Sequence, residues 1–239
     1  MPPKVDLDSI DLKKMYEGKK DYEKDLKKQQ LKLLHFQQHI IEKNIPVVLA
    51  FEGWDASGKG GCIKRITEIL DSRHFEVHQI SAPTPTERAA HYLRRFWVRL
   101  PRRGNLGIFD RTWYGRVLVE RVDSFARKEE WKRAYEEINT FEKMLADDGY
   151  YLFKFFLHTS PEVQLRRFKE RQDSPYKQWK ITEDDWHNRK KRSDYLKAYE
   201  DMLEKTNTPW APWHIIEADY KWWARVRVLK IITKMLKKI

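Results

Sequence analysis

Cysteine and long apolar runs are what this sequence has least of. Among 239 residues the only cysteine is Cys62, which excludes an internal disulfide and a zinc site built from cysteines. A single thiol fits a reducing compartment, so we predict a cytoplasmic protein. No apolar run approaches the ~18 residues that a membrane-spanning helix needs, and the N-terminus is charged rather than signal-like. We therefore expect no membrane partner.

Negative charge is also in short supply. The chain has 48 lysine and arginine residues against 36 aspartate and glutamate residues, a formal net charge of +12. Such an excess favours an anionic partner: nucleic acid, an anionic membrane or a polyanionic substrate. The basic residues are spread through the chain instead of gathered in one stripe or tail, which weakens the nucleic-acid interpretation. We expect no nucleic acid as partner, and a basic nucleic-acid-binding protein stays open as an alternative.

Glycine is scarce too, and its distribution is uneven. Four of the nine glycines lie in the segment 53–61, between an apolar run at 45–51 and a helix-like run at 62–70. A strand, a glycine-rich turn with a lysine and a helix form a phosphate-binding loop, in which backbone N–H groups and the helix N-terminus face the anion. The residues expected to hold phosphate are Gly53, Ala56, Ser57, Gly58, Lys59, Gly60 and Gly61. A glycine-rich surface turn is the alternative.

This phosphate loop (53–61) departs from the usual pattern at one position. Ser or Thr ordinarily follows the lysine and holds Mg²⁺, but Gly60 stands there. An acidic residue, Asp55, lies inside the loop, where phosphates would repel it unless a cation lay between them. We interpret Asp55 as a Mg²⁺ ligand, direct or through water. The alternative is an aspartate that only stabilises the turn.

A second acidic residue ends a short apolar segment. Asp110 follows residues 107–109, and in phosphate-loop enzymes a strand-end aspartate helps to hold Mg²⁺. Asp55 and Asp110 are thus the predicted metal ligands, and Asp110 is also a candidate N-cap of the next helix. Arg111 leaves the strand beside Asp110, and a helix is expected to begin near Trp113. Further candidates for the substrate site are Arg116, Glu120 and Arg121 on that helix, with Lys64 and Arg65 after the loop.

Strand-like and helix-like segments alternate from residue 45 onward. The alternation predicts an α/β fold with a central parallel sheet, whose ligands bind at the carboxyl ends of the strands. The strand candidates are 46–52, 75–80, 106–110, 150–157 and 213–218. The helix candidates are 60–71, 86–99, 113–122, 128–147, 161–172, 183–204 and 222–237.

Two segments stand apart from this alternation. Residues 1–44 are polar and lysine-rich and predict an N-terminal helical extension that packs on the core or on another subunit, before a main domain at 45–239. Its apolar residues at a loose helical period are Leu26, Leu31, Leu34, Ile40 and Ile41. Basic residues around a proline-bearing turn at about 166–195 predict a lid that closes over phosphates. A solvated helical hairpin is the alternative.

Three separated motifs resemble the second polyphosphate kinase family. They are the segments 51–61 and 109–122 and the basic stretch at 166–195, and the likeness covers about residues 30–237. The resemblance implies a three-layer P-loop kinase fold, similar to that of thymidylate kinase. The implied activity moves phosphate between inorganic polyphosphate and a nucleotide. Mg²⁺ as cofactor and a homo-oligomer, dimer or tetramer, are also implied.

The resemblance assigns roles to individual residues. Asp55, Lys59, Asp110 and Arg111 match the catalytic core of the family, and Arg171 in the lid is expected to join them. The other matching lid positions are Arg166, Lys177, Lys180 and Arg189.

The acceptor is indicated by fewer residues. Trp54 and the stretch 114–121 are closer to the subgroup of the family that phosphorylates AMP. The resemblance therefore implies polyphosphate and AMP as substrates, with ADP as a second acceptor. An ATP-dependent nucleoside monophosphate kinase is the alternative, since it would need the same phosphate loop.

Overall fold

Five apolar segments form one parallel sheet in the computed structural model, which describes residues 4–234. The strands are β1 (Val47–Gly53), β2 (Phe75–Gln79), β3 (Leu106–Asp110), β4 (Tyr151–His158) and β5 (Trp213–Glu217). Their order is β2-β3-β1-β4-β5, and every neighbouring pair is parallel. The predicted α/β class with a central parallel sheet is confirmed, and all five predicted strands are present at nearly the predicted bounds.

The strands are apolar because helices cover both faces of the sheet. Every residue of the central strand β1 is buried, and so is all of β4 except its first residue. The edge strand β2 is more exposed. The carboxyl end of β1, where the phosphate loop begins, therefore lies in the middle of the sheet, between the ends of β3 and β4.

The helices of the described residues alternate with the strands. They are α1 (Lys19–Glu42), α2 (Lys59–Thr67), α3 (Pro85–Arg88), α4 (Arg94–Trp97), α5 (Val119–Val122), α6 (Lys128–Asp147), α7 (Pro161–Gln172), α8 (Glu183–Lys190), α9 (Arg192–Lys205) and α10 (Lys221–Lys234). Within the part of the chain that the structure describes, no helix is both long enough and apolar enough to cross a membrane.

Three predicted helices were wrong in their continuity. The segment 86–99 forms α3 and α4, and the segment 183–204 forms α8 and α9, which are interrupted at Lys191. The segment 113–122 forms a 3₁₀ turn at Trp113–Arg116 and then α5. The end of the predicted helix 222–237, residues 235–237, lies outside the described residues.

Two apolar clusters, one on each face of the sheet, produce three layers. On one face, α6, α9 and the turn after β3 contribute Phe141, Tyr199 and Trp113 to a cluster with Phe109 and Phe156. The second cluster combines side chains of α1, α2 and α10 with the opposite face of β1 and β4.

The N-terminal helix α1 packs on the core, next to α10. Tyr22, Leu33 and Phe36 are buried, together with the predicted Leu26 and Ile40. The proposed stripe was wrong at Leu31, which is 58% exposed. Buried glutamines replace leucine in part of the stripe because the neighbouring backbone offers them hydrogen bonds. These include the bonds that Gln37 exchanges with the backbone of Asp71 and the bond from Gln30 to the Arg65 carbonyl.

Candidate active site

The phosphate loop joins β1 to α2 through backbone conformations that most residues avoid. Gly53 has a φ of +135°, and a Cβ atom there would lie 2.3 Å from the Leu157 carbonyl oxygen, so only glycine fits. Gly58 has a φ of +110°, and Ala56 is also left-handed with a φ of +58°. The helix α2 then begins at Lys59. The predicted order of strand, glycine turn and helix is therefore present.

The Lys59 ammonium folds back over this loop. Its Nζ donates to the Gly53 carbonyl at 2.8 Å and to the Trp54 carbonyl at 3.2 Å. An ammonium has three protons, so these bonds fix its position and leave one donor for an anion. It stands at the first turn of α2, whose unpaired N–H groups also favour an anion.

A buried arginine that the sequence did not single out holds the other side of the loop. Arg167 on α7 is only 4% exposed, and its guanidinium donates to the carbonyls of Ala56 and Ser57 at 3.0 Å. It also donates to the carbonyls of Ala218 and Asp219 after β5, at 2.8 and 2.9 Å. Because it draws the loop carbonyls toward α7, it fixes the orientation of the peptide groups between them. The sequence offers no signal for it beyond its place beside Arg166.

Asp55 lies at the meeting point of three elements. Its Oδ1 accepts a hydrogen bond from the Arg111 guanidinium, and its Oδ2 accepts one from the Asn188 amide on α8, each at 2.9 Å. Its backbone carbonyl accepts from the Gln164 amide on α7 at 3.1 Å. The loop is thus linked to the end of β3 and to the predicted lid through one residue. Neither Gln164 nor Asn188 was predicted.

The ends of β1 and β3 bring the predicted acidic residues to one edge. Asp110 is paired in register with Phe51 of β1. Arg111 then turns back with a φ of +67°, and its N–H donates to the Phe51 carbonyl at 3.0 Å. The N-cap of the following turn is Thr112, whose side chain accepts from the Tyr114 N–H, so the alternative N-cap role of Asp110 was wrong.

A cleft opens beside the loop and Asp55. One wall is formed by Arg111 and by Gly115, Leu118 and Val119, which follow β3. The opposite wall is formed by Tyr195 and Tyr199 of α9, with Asn188 of α8. Its floor includes the buried Glu52, which accepts from the N–H and hydroxyl of Thr112 at 2.8 and 2.7 Å. Burial raises the pKa of Glu52. The cleft therefore combines apolar and aromatic walls with an arginine at the end nearest the loop.

Trp54 fixes the corner between the loop and the cleft. Its indole N–H donates to Nδ1 of His158 at 2.9 Å, and the Arg192 guanidinium lies 3.8 Å from its ring centroid. The edge of the ring packs against Tyr199. Burial, followed by the charge of Arg192, lowers the pKa of His158 to about 4, so the imidazole is neutral and accepts the bond.

Comparison with protein families identifies the family to which this chain belongs. Residues 16–239 match the family model of polyphosphate kinase 2. The chain belongs to the polyphosphate kinase 2 family. Its P-loop kinase fold is the three-layer fold that the motifs predicted. The similarity to a solved polyphosphate kinase 2 from Arthrobacter aurescens extends over 98% of this chain and 86% of the other, with 31% identity and a TM-score of 0.93.

Two curated relatives show how the family varies. A polyphosphate:AMP phosphotransferase of Pseudomonas syringae pv. tomato is 49% identical over 232 residues, which are 97% of this chain and 46% of the relative. An ADP-polyphosphate phosphotransferase of Rhizobium meliloti is 40% identical over 209 residues, which are 87% of this chain and 74% of the relative. The chain therefore spans less than half the length of the first relative and about three quarters of the second.

The carboxylates of this polyphosphate kinase 2 chain suit a divalent metal ion. Asp55 and Asp110 are hard oxygen donors at the ends of adjoining strands, and Mg²⁺ is ordinarily bound through one or two carboxylates plus substrate phosphates. Among residues 4–234, no group of three or more His, Cys, Asp or Glu residues could hold a metal. Each carboxylate oxygen has two lone pairs, so the bonds from Arg111 and Asn188 leave Asp55 able to accept more.

Most of the predicted basic residues outside the loop pair with acidic or aromatic side chains of the protein itself. Arg116 pairs with Glu120 at 3.0 Å and lies over the ring of Tyr92. Arg121 pairs with Asp201 at 2.7 Å and lies over the ring of Trp131. After the loop, Arg65 pairs with Glu68, while Lys64 and Gly60 are exposed on α2. These contacts favour structural roles for Arg116 and Arg121, and contacts with phosphate stay a prediction for all of them.

The predicted lid comprises the end of α7, a 3₁₀ turn at Gln178–Lys180, α8 and the start of α9. Arg189 reaches the loop region, since it donates to the Pro161 carbonyl at 2.9 Å and to Gln164 at 3.0 Å. Arg171 donates to the Lys180 carbonyl at 3.1 Å and so holds the two arms of the lid together. The side chains of Lys177, Lys180 and Arg166 face solvent. The structure thus brings Arg189 to the site, whereas Arg166, Arg171, Lys177 and Lys180 are not among the residues that line the cleft.

Proposed function

We propose that this chain transfers a phosphoryl group between inorganic polyphosphate and a nucleotide, with AMP as its main acceptor. One observation carries the proposal: the phosphate loop and the aromatic cleft share Asp55, so a phosphate chain and a nucleotide would meet at that residue. Phosphoryl transfer asks little covalent chemistry of a protein, and positioning with charge neutralisation is the main requirement.

The donor end is the phosphate loop. A polyphosphate terminus would rest against loop N–H groups that have no backbone acceptor within residues 4–234, among them those of Gly58, Lys59 and Gly60, and against the free proton of the Lys59 ammonium. Arg167 keeps those peptide groups in place from behind, so the loop needs little reorganisation when an anion binds. The net charge of +12 would raise the local concentration of a polyanion, and binding should weaken with salt.

The acceptor end is the cleft. The Arg111 guanidinium lies where an acceptor phosphate would enter, and Tyr195, Leu118 and Val119 offer aromatic and apolar surface to a nucleoside. The preference for AMP is supported by the relative named for AMP, which is more similar to this chain than the relative named for ADP. Trp54, one of the residues in which the chain resembles the AMP subgroup, stands at the junction of the two sites. ADP is proposed as a second acceptor.

Mg²⁺ is the proposed cofactor, and Asp55 and Asp110 are the residues that would hold it. When bound, the ion neutralises phosphate charge and orients the reacting oxygens. The remaining phosphate charge would be neutralised by cations of the chain. Lys59 would act on the donor phosphate and Arg111 on the acceptor phosphate, and Arg171 and Arg189 would add to this from the predicted lid. An acceptor phosphate is already ionised at neutral pH, so no strong general base is needed.

We also propose a cellular location and an oligomeric state for this chain. A cytoplasmic location is proposed because the single cysteine fits a reducing compartment. A homo-oligomer is proposed from the resemblance to the family.

The test is a donor-by-acceptor assay. Purified protein with Mg²⁺ is mixed with long-chain polyphosphate or with ATP as donor, and with AMP or ADP as acceptor, and the products are separated by chromatography. We expect the fastest reaction to be the formation of ADP from polyphosphate as donor and AMP as acceptor. If ADP formed from ATP and AMP but not from polyphosphate and AMP, the proposal would be rejected in favour of an ATP-dependent nucleoside monophosphate kinase.

A further inference from the structure

A lysine lies in the middle of the protein, beneath the cleft. Lys154 is on β4, its side chain is 0% exposed, and its Nζ donates to three acceptors. They are Glu142 Oε2 at 2.7 Å, the Tyr114 hydroxyl at 2.9 Å and the Thr206 carbonyl at 2.6 Å. All three ammonium protons are therefore used. Burial lowers the pKa of Lys154, and the Glu142 carboxylate counteracts this effect.

Glu142 of α6 completes the network. Its side chain is also 0% exposed, and its Oε1 accepts from the Trp113 indole at 3.0 Å and from the Tyr114 hydroxyl at 2.6 Å. The tyrosine hydroxyl thus donates to the glutamate and accepts from the lysine. Since every polar atom of the pair has a partner, the network permits one arrangement of the two aromatic side chains.

The partners of this pair lie in the chain segments that supply both walls of the cleft, although they do not line it themselves. Trp113 and Tyr114 immediately precede the stretch 115–119, which supplies Gly115, Leu118 and Val119 to one wall. Thr206 follows the last turn of α9, the helix that supplies Tyr195 and Tyr199 to the other wall. Two fully buried charged groups therefore connect the segments that supply the two walls.

Stability alone is a weak reason for such a pair. Two charges lose their hydration on burial, and this cost offsets most of their attraction, so apolar residues of similar size often serve a fold equally well. What an apolar pair cannot do is join β4, α6, the turn after β3 and the end of α9 by directed hydrogen bonds.

We propose that the Lys154–Glu142 pair is a positioning device, which sets the separation of the cleft walls and through it the affinity for the acceptor nucleotide. The inference rests on the proposed function, because it takes the cleft as the acceptor site. The pair has no contact with the loop residues that would hold polyphosphate, so it should act on one substrate and not on the other.

The test is the double variant Lys154→Met/Glu142→Gln, which removes both charges and keeps an amide oxygen for Trp113 and Tyr114. Thermal melting and gel filtration establish that it is folded. We expect the KM for AMP and the Kd for AMP from calorimetry to rise about 10-fold or more, with the KM for polyphosphate within about twofold of wild type.

The matched control is Ile232→Ala, a buried residue of α10 in the cluster on the opposite face of the sheet. It should lower stability while leaving both KM values within about twofold of wild type. The proposal is overturned by a folded double variant with the wild-type KM for AMP, by an equal rise in the control, or by a double variant that does not fold. A wild-type protein that neither binds nor phosphorylates AMP would instead reject the proposed function, and this inference with it.

Discussion

The phosphate loop and the predicted lid both contain cations expected to act on the same phosphates, but these cations are held differently. The loop cations are bonded to backbone carbonyls, whereas most of the lid cations face solvent. In the loop, Lys59 is bonded to two backbone carbonyls, and the buried Arg167 is bonded to four more. In the predicted lid, the turn between α7 and α8 is open to solvent, with Tyr176 86% exposed and Trp179 74% exposed, while α8 already contacts the loop side through Asn188 and Arg189. The loop is therefore ready for an anion before it binds, whereas we expect the exposed turn of the predicted lid to gain contacts when a ligand binds.

This difference predicts that loss of a loop residue costs much more activity than loss of a lid residue. The loop supplies fixed charge in a partly buried site, where each donor is worth more than it is in solvent. The lid cations that face solvent are screened, so each of them contributes less.

Lys59→Ala should have the largest effect. The ammonium is the one full charge fixed at the first turn of α2, and its loss should lower kcat with polyphosphate and AMP by roughly 100-fold or more. Steady-state kinetics measure the loss, and Lys64→Ala, on an exposed face of the same helix, should lose only a few-fold. Near-wild-type turnover in Lys59→Ala would contradict the prediction that loop residues contribute more to activity than lid residues.

Asp55→Asn and Asp110→Asn should come next. Each change keeps the shape of the side chain and removes one negative charge from the proposed metal site, so kcat should fall by about 100-fold. The Mg²⁺ concentration for half-maximal activity should rise in both variants. An unchanged Mg²⁺ requirement in either one would reject its role as a metal ligand.

Arg167→Met should weaken the loop through its backbone. The variant leaves three buried carbonyls and the part-buried Asp219 carbonyl without a donor, so the free energy of unfolding should fall by at least about 2 kcal/mol, as measured by urea denaturation. The kcat/KM for polyphosphate should fall by roughly 10- to 100-fold because the loop is misplaced. The neighbouring exposed Arg166→Met should change stability by no more than about 0.5 kcal/mol. Equal destabilisation by the two variants would contradict the account of the loop.

Arg111→Ala and Arg171→Ala should lose less, and Arg171→Ala least of all. Arg111 is bonded to Asp55, whereas Arg171 is bonded only within the lid, to the Lys180 carbonyl. We expect a loss of about 10-fold for Arg111→Ala and a smaller one for Arg171→Ala. If Arg171→Ala were as damaging as Lys59→Ala, the lid would be a catalytic element equal to the loop.

Replacement of His158 should have the smallest effect, and it should change the pH dependence of stability. Its pKa is lowered from 6.5 to about 4, so the unfolded chain binds more protons than the folded chain between those values. The contribution of His158 is therefore fully present above pH 6.5 and is lost as the pH falls toward 4. His158→Gln keeps an acceptor for Trp54 and should reduce the loss of stability between pH 7 and pH 5. Identical pH dependence in urea denaturation of the two proteins would contradict a buried neutral imidazole.

The strands and the phosphate loop could be predicted from local pattern alone. Apolar runs bounded by turns define the strands other than the edge strand β2, which has three polar residues among five. A left-handed backbone at Gly53 and Gly58 favours glycine, so sequence and geometry are directly linked there. Asp110 was proposed from its place at a strand end, and Asp55 from its place inside the phosphate loop, where a carboxylate beside phosphate needs a cation.

The residues that support the site could not be predicted in this way. Arg166 and Arg167 look alike in the sequence, and only the rotation of α7 against the loop makes one exposed and the other buried. Gln164, Asn188 and Lys154 likewise acquire their partners from segments distant in the chain. Tertiary packing decided the continuity of the helices as well, since the single helix predicted at 183–204 is interrupted at Lys191.

The most direct test of the account is a crystal structure of the protein with Mg²⁺, AMP and a short, non-transferable polyphosphate analogue. The account predicts the analogue in the phosphate loop, the AMP phosphate beside Arg111 and the nucleoside in the cleft. It also predicts Mg²⁺ at about 2.1 Å from a carboxylate oxygen of Asp55 or Asp110, or linked to it by one water molecule. AMP bound in the phosphate loop, or a metal ion that neither aspartate contacts, would contradict it.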